Sequence, residues 1–350
     1  MNAPQETKKR RGWMVPARAA GKAIVRRFMP SLLCWVGVSA YAQQPPTLKL
    51  VQTIPLPGVQ GRFDHSAIDG KGHRLFVSAL GNDTLEVLDV SAGTRIKSVT
   101  SLHKPTGAFY LAEQNRIAVA NGDDGTLRIF DGVSYELVDR VGSLDDADNV
   151  RYDAKAKLIY VGFGEGALGI IDSATMKQTG SIKLAAHPES FQLEANGPRI
   201  FVNVPGAKQI AVVDREKRTV SATWPMTDFK ANFPMALDDP NHELFIGCRQ
   251  PPRLVVLAAA TGKLLASVEI SGDTDDLFFD AKRQRIYVSC GEGFLDVIQR
   301  RDGDHFERLA RLATRAGART SFFSPELDRL YLAVPQRGGR QAEVRVYQPE

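Results

Sequence analysis

Residues 285–298 read RIYVSCGEGFLDVI, which is a β-branched and aromatic run, a glycine-containing turn and a second apolar run. Short runs of this kind, separated by turn residues, are typical of β-strands. The same pattern recurs along the chain, and its seven copies begin at residues 74, 116, 157, 199, 243, 285 and 329. The period is therefore 41 to 44 residues. Repeats of that length predict a β-propeller with one small sheet for each repeat.

The seventh copy reaches Glu350 without the fourth strand that the other copies contain. Residues 48–56, LKLVQTIPL, have the pattern of a fourth strand but precede the first copy. We expect this N-terminal strand to pair beside residues 344–347, because an open ring would leave sheet edges free to pair with other chains. The predicted fold is all-β, a seven-bladed propeller of four-stranded antiparallel blades.

Residues 1–42 differ in composition from the rest of the chain. Eight Lys and Arg residues precede a short apolar run at residues 28–39 and the sequence Ala40-Tyr41-Ala42. This order predicts a secretory signal peptide cleaved after Ala42, with the twin-arginine route left open as an alternative. The apolar run is shorter than the roughly 20 residues of a membrane-spanning helix. Residues 43–350 are then a single periplasmic or secreted domain.

Removal of the leader changes the charge of the chain. Residues 1–42 hold eight of the 45 Lys and Arg and one of the 40 Asp and Glu, which leaves 37 basic and 39 acidic residues. The mature chain therefore has no basic footprint for nucleic acid, and we expect a monomer without a membrane span.

Cys248 and Cys290 occupy the same position in successive repeats. Neighbouring sheets pack ~10 Å apart, so two separate buried thiols are favoured over a disulfide, which needs Cα atoms within ~7 Å.

The strand–turn–strand pattern resembles the YVTN-repeat propellers, in particular the YncE-like periplasmic proteins. IYVG, IFVN, LFVS and IYVS stand where that family has Tyr-Val-Thr-Asn, and VLDV, IFDG, IIDS and VVDR stand where it has a strand ending in Asp. The fifth and sixth copies lack that Asp. The resemblance covers nearly all of residues 43–350 and implies a seven-bladed propeller outside the cytoplasm. It does not imply one activity, because this family is united by architecture.

The innermost strand of each blade lines a propeller's central channel, and the loops entering these strands meet at one mouth. We align the repeats on the residue that ends this strand, taken as Asp69, Ala112, Asp153, Glu194, Asp238, Asp280 and Pro325. Five residues earlier stand Asp64, Gly107, Asp148, Glu189, Phe233, Asp275 and Thr320. Four carboxylates at one repeat position predict a partly acidic ring. With neighbouring polar residues, the predicted ligand-binding set is Arg62, Asp64, His65, Asp148, Asn149, His187, Glu189, Asn232, Asp275, Asp276 and Arg319.

Carboxylates that converge in a cleft repel one another and raise each other's pKa unless a cation relieves them. Such a ring suits Ca²⁺ or another divalent cation with oxygen ligands, or a cationic or polyhydroxylated molecule. The metal ligands would be Asp64, Asp148, Glu189 and Asp275, and His65 could act as a base or a further ligand. The structural alternative is that acidic and Asn residues end strands by bonding their own backbone.

Three functional hypotheses remain. The first is a binding or interaction scaffold that uses the channel mouth and loop face for a small-molecule or protein ligand, since no nucleophile motif is present. The second is a metal-dependent hydrolase similar to the propeller lactonases, in which the cation would polarise a lactone carbonyl. The third, a quinone- or haem-dependent oxidoreductase, is disfavoured because the chain has no C-x-x-C-H and no cofactor-binding domain. The G-x-G-x-x-G match at residues 164–169 lacks the helix that a dinucleotide site requires.

Overall fold

The computed structural model describes residues 47–350, so the predicted signal peptide lies outside the described residues. These residues form 28 strands in seven four-stranded antiparallel sheets. The only helices described are two short 3₁₀ turns, Leu80–Asn82 and Pro205–Ala207. The predicted all-β propeller is confirmed. In this part of the chain no helix has the length and hydropathy that a membrane crossing requires.

The strands follow one another in chain order from the channel outwards. After the N-terminal strand β1 (Leu48–Leu56), blade 1 contains β2 (Ser66–Asp69), β3 (Arg74–Ala79), β4 (Thr84–Asp89) and β5 (Thr94–Val99), and blade 2 contains β6 (Pro105–Leu111), β7 (Arg116–Asn121), β8 (Thr126–Asp131) and β9 (Leu137–Val141). Blade 3 contains β10 (Val150–Asp153), β11 (Leu158–Phe163), β12 (Ala167–Asp172) and β13 (Lys177–Lys183), and blade 4 contains β14 (Phe191–Leu193), β15 (Arg199–Val204), β16 (Gln209–Asp214) and β17 (Thr219–Pro225). Blade 5 contains β18 (Lys230–Asp238), β19 (Glu243–Gln250), β20 (Pro252–Ala258) and β21 (Leu264–Glu269), and blade 6 contains β22 (Thr274–Asp280), β23 (Arg285–Cys290), β24 (Phe294–Arg300) and β25 (Phe306–Ala313). Blade 7 contains β26 (Ser321–Ser324), β27 (Arg329–Val334) and β28 (Ala342–Pro349).

The N-terminal strand completes blade 7. Its sheet has the order β1-β28-β27-β26, and β1 runs antiparallel to β28 from Leu48 opposite Pro349 to Leu56 opposite Ala342. The closure predicted from the missing fourth strand is therefore present. It joins the two ends of the described chain in one sheet.

The hydrophobic core is divided among the seven spaces between neighbouring blades. Each space contains one cluster of buried side chains from the two sheets that face it. Between blades 7 and 1, Ile54 and Leu56 of β1 pack with Leu75 and Leu88 of blade 1. The middle strands are covered on both faces, so they are apolar at nearly every position instead of alternating. In β23, for example, the residues after Arg285 are apolar except for one serine.

Arginines at the start of the second strand connect neighbouring blades. Arg74 bonds Asp69 at the end of β2, at 2.7 Å, and also donates to the carbonyl of Gly132 in blade 2. Arg199 makes the equivalent contacts with Glu194 and with the carbonyl of Ala259 in blade 5. The acidic residues at the ends of these inner strands are therefore paired with arginines that hold neighbouring blades together.

Two further sequence predictions concern the blades themselves. Cys248 and Cys290 are both free and buried, as expected, and burial raises the pKa of the Cys248 thiol to about 12. The glycine-rich residues 164–169 form the turn into β12 and its first residues, and no helix follows. This segment is thus a blade turn.

Candidate functional site

The strand registers define which residues are equivalent in the seven blades. The residue that faces the start of the second strand is Asp69, Leu111, Asp153, Glu194, Asp238, Asp280 or Ser324. The sequence alignment on Ala112 and Pro325 is thus one residue late in blades 2 and 7, because neither blade has an acid at this position to mark it. The channel mouth is surrounded by the residues five positions earlier, which we call the mouth ring: Asp64, Thr106, Asp148, Glu189, Phe233, Asp275 and Arg319.

Three members of the mouth ring lie at irregularities of the strand backbone. In blades 2, 5 and 6 the register between the first two strands shifts at Thr106, Phe233 and Asp275. Such bulges turn a side chain away from the direction it would take in a regular strand. Thr106 uses its hydroxyl to bond the carbonyl of Ala147 in blade 3, at 2.6 Å. The spacing of the repeats does not indicate these shifts.

Asp275 is held by two arginines. Arg249 Nη2 lies 2.5 Å from Asp275 Oδ1, and Arg319 Nε lies 2.8 Å from Oδ2. The guanidinium of Arg249 also lies 3.8 Å from the ring centroid of Phe233, which is cation–π distance. Burial raises the pKa of Asp275, and the two guanidinium groups oppose that effect. Arg249 was not among the predicted residues, since it comes from the end of β19 and not from a loop entering an inner strand.

His65 connects carboxylates of blades 1 and 6. Its Nδ1 lies 3.0 Å from Asp276 Oδ1, and its Nε2 lies 3.3 Å from Asn149 Nδ2 and 3.5 Å from Asp64 Oδ1. Burial disfavours the imidazolium, but Asp276 and Asp64 outweigh that effect and raise the pKa of His65 well above 6.5. His65 therefore links carboxylates of blades 1 and 6, which favour its imidazolium form. Its role as a base or a metal ligand stays a prediction.

Two members of the mouth ring are carboxyl groups that titrate near neutral pH. Burial is the largest cause in both cases, and repulsion by Asp148 and Asp275 adds to it. The pKa of Asp64 rises to about 7, with His65 and Arg62 opposing the shift. The pKa of Glu189 rises to about 8. The carboxyl group of Glu189 has no hydrogen bond or ion pair with residues 47–350.

The remaining predicted residues have different positions. His187 donates from Nδ1 to the carbonyl of Gly164 at 2.7 Å, and its interaction with Asp148 is the main reason that its pKa rises to about 9. Arg62, which is about half exposed, lies 3.3 Å from Asp64. Asn232 does not join the ring: it is fully buried, and its amide donates to Asn203 Oδ1 at 2.8 Å.

A cavity of about 600 Å³ lies in the channel, with residues of all seven inner strands in its wall. His65 and Asp276 belong to this wall, so the cavity begins at the residues that follow the mouth ring in sequence. Arg151 and Ser190 add further polar groups, and several phenylalanines provide apolar surface. The volume lies within the 300–1,000 Å³ range of small-molecule sites.

Cationic side chains lie next to the carboxylates that are predicted to bind a metal ion. Among residues 47–350, no three His, Cys, Asp or Glu side chains are arranged to hold a metal. Arg249 and Arg319 surround Asp275, and His65 lies between Asp64 and Asp276. The protein's own cations thus provide part of the charge that a metal would provide. A divalent cation bound by Asp64, Asp148, Glu189 and Asp275 stays a prediction.

Comparison with known proteins identifies a shared fold. No family model and no curated protein sequence matches the chain. A chain of Kuenenia stuttgartiensis hydrazine synthase is similar with a TM-score of 0.72 and 13% identity, over 83% of this chain and 98% of that one. A chain of a mitotic checkpoint complex is similar with a TM-score of 0.73 and 13% identity, over 97% of this chain and 98% of that one. At such low identity these similarities show the fold alone.

Proposed function

We propose that this chain is an exported binding protein of the YVTN-repeat, YncE-like kind, and that it binds a small molecule in the channel below the mouth ring. The observation that carries the proposal is the cavity of about 600 Å³ next to a ring of converging ionisable groups. Carboxyl groups with strongly raised pKa values, such as Asp64 and Glu189, cluster at functional sites more often than elsewhere. Export is supported by the leader pattern of residues 1–42.

The test is a thermal-shift screen of residues 43–350 against cationic, anionic, zwitterionic and polyhydroxylated compounds, with a pull-down from cell extract beside it. Ser66 is partly exposed in the cavity wall, so Ser66→Trp should fill the channel. Val133, which is 73% exposed, offers Val133→Trp as the matched control. We expect a ligand that raises the melting temperature of the parent and the control by about 2–4 °C or more, and no rise with Ser66→Trp. The proposal fails if no compound or partner binds, or if Ser66→Trp binds as well as the parent.

A hydrolase of the lactonase type is the second candidate. It is supported by the carboxyl groups at the mouth: burial and then repulsion by Asp148 and Asp275 raise the pKa values of Asp64 and Glu189, and a bound cation would relieve that repulsion. In this candidate, Asp64, Asp148, Glu189 and Asp275 would hold a divalent cation. Lactone hydrolysis and bound metal are measured on the parent and on Asp148→Asn and Asp275→Asn. If neither substitution changes metal content or turnover, the hydrolase is rejected and the binding protein is unaffected.

A further inference from the structure

The channel contains another ring of side chains, below the mouth ring and below the residues that follow it such as His65 and Asp276; we call it the third ring. Two residues before the end of each inner strand, the chain places Ala67, Phe109, Arg151, Gln192, Ala236, Phe278 and Phe322. All seven belong to the cavity wall. This third ring has an apolar side, formed by blades 6, 7, 1 and 2, and a polar side at Arg151 and Gln192. The cavity is therefore amphipathic across its width.

Arg151 is a cation without a carboxylate partner. Its Nη1 donates to the carbonyl of Val150 at 2.9 Å, and its Nη2 lies 3.3 Å from the Ser190 hydroxyl. No ion pair joins it to any carboxylate of residues 47–350, although Asp276 and Asp148 act on it from longer range. This differs from Arg249 and Arg319, which both bind Asp275. A guanidinium has five N–H donors in a planar fork, so Arg151 retains donors for a ligand.

The third ring also has a partly exposed aromatic surface, formed by Phe278 and Phe322 in blades 6 and 7, across the channel from Arg151, and by Phe109 in the neighbouring blade 2. The ring centroids of Phe278 and Phe322 lie 5.5 Å apart, and that of Phe109 lies 6.0 Å from Tyr152. Phe109, Phe278 and Phe322 are each only partly buried although they lie inside the molecule. Aromatic faces of this kind pack well against a flat apolar group.

The cavity wall contains two carboxylates, Asp276 and the exposed Glu326. Asp276 is the one that acts electrostatically on Arg151, so an anion bound to Arg151 would approach it. Both of its oxygens are already engaged, Oδ1 by His65 at 3.0 Å and Oδ2 by the backbone N–H of Ser321 at 2.9 Å. Its negative charge is therefore balanced within the protein. Asp276 and Asp148 both act on Arg151, so they repel a monoanion bound there less than they would a multiply charged phosphate.

We propose that the channel binds a small aromatic carboxylate, with its carboxylate on the fork of Arg151 and its ring between Phe109, Phe278 and Phe322. Bidentate pairing with a carboxylate is the interaction that guanidinium geometry favours. It would neutralise a charge that the protein leaves unpaired inside the channel, where an unpaired charge is costly. This inference rests on the proposed small-molecule function and assigns that function a ligand class.

The test uses three probes with the same ring system: 1-naphthoate, neutral 1-naphthylmethanol and cationic 1-naphthylmethylamine. Binding to residues 43–350 is measured by calorimetry. We expect 1-naphthoate to bind the parent, and the neutral and cationic probes to bind at least about tenfold more weakly, since each loses the charge-assisted pair. Arg151→Gln should lower naphthoate affinity by at least about tenfold, and Phe322→Leu should weaken all three probes. Arg301→Gln, at a side chain 46% exposed, is the charge-matched control and should change nothing.

The results distinguish the proposed ligand class from the proposed small-molecule function on which it rests. Equal naphthoate affinity in the parent and Arg151→Gln overturns the ligand class, and so does preferred binding of the amine. In either case the screen can still support a small-molecule site. If no screened compound and none of the three probes binds, both fail. Should Arg151→Gln not fold, Arg151→Lys retains the charge without the fork and is expected to bind naphthoate more weakly than the parent; unchanged affinity overturns the inference.

Discussion

At the scale of single residues, Gly107 shows how one backbone contact positions the mouth ring. A Cβ atom at Gly107 would lie 2.5 Å from the carbonyl oxygen of Asp148 in the next blade. Real Cβ contacts are not that short, so a side chain here must displace the backbone of blade 2 or blade 3. Glycine thus allows the close approach that places Asp148 in the ring.

We predict that Gly107→Ala destabilises the protein by about 1–3 kcal/mol, the usual range for forcing extra volume into a packed site. It should also weaken ligand binding in the channel, because Asp148 at the mouth moves with the backbone. Gly142→Ala is the matched control, since an added Cβ there has no atom within 4 Å. Urea unfolding followed by circular dichroism measures both variants. Equal stability of the two would contradict the steric argument.

At the scale of structural elements, the turns between the first two strands of blades 6 and 7 are joined by an ion pair. Arg283 donates to Asp328 through two hydrogen bonds of 2.6 and 2.8 Å, and it also bonds Asp280 and the carbonyl of Pro349. The contact with Arg283 is the main reason that the pKa of Asp328 falls from 3.8 to about 2. One side chain therefore connects blade 6 to a turn and a strand of blade 7.

The sign of the pH dependence follows from that lowered pKa. Between about pH 4 and pH 2 the unfolded chain binds more protons at Asp328 than the folded chain, so the pair contributes its full stability above pH 4 and loses it as the pH falls. We predict that Asp328→Asn lowers the free energy of unfolding by about 1 kcal/mol or less at pH 7, because the pair is partly exposed. The difference should shrink towards pH 2. Urea titrations across this range test it, with Asp302→Asn as a control in a turn; a constant difference at all pH values would refute the assignment.

At the scale of the whole molecule, strand β1 closes the ring. Ile54 of this strand is fully buried between blades 7 and 1, whereas Leu50 of the same strand is 48% exposed. We predict that Ile54→Ala costs about 2–5 kcal/mol, the range for removing a large buried aliphatic side chain. Leu50→Ala should cost far less. Thermal and urea unfolding of the two variants measure the difference, and similar losses would mean that β1 does not stabilise the closure.

The repeat explains why so much of the architecture could be predicted from the sequence. Each blade must cover both faces of its middle strands, so each copy carries the same apolar pattern, and seven copies determine both the blade number and the missing strand. The mouth ring followed from the same spacing because Asp64, Asp148 and Asp275 occupy equivalent positions. The prediction was one residue late in blades 2 and 7, where Leu111 and Ser324 replace the acid that marks the strand end elsewhere.

The sequence by itself determined the all-β class, the seven blades and the closing strand, since these depend on local periodicity and turn chemistry. Only the tertiary structure decided which charges neutralise one another. Arg249 reaches Asp275 from the neighbouring blade, and Asn232 turns away from the ring to Asn203. It also showed that Arg151 has no ion pair with a carboxylate of the described residues and shares its cavity with several phenylalanines. Such pairings join residues far apart in the chain, and their energies depend on distance and burial, which a repeat period does not encode.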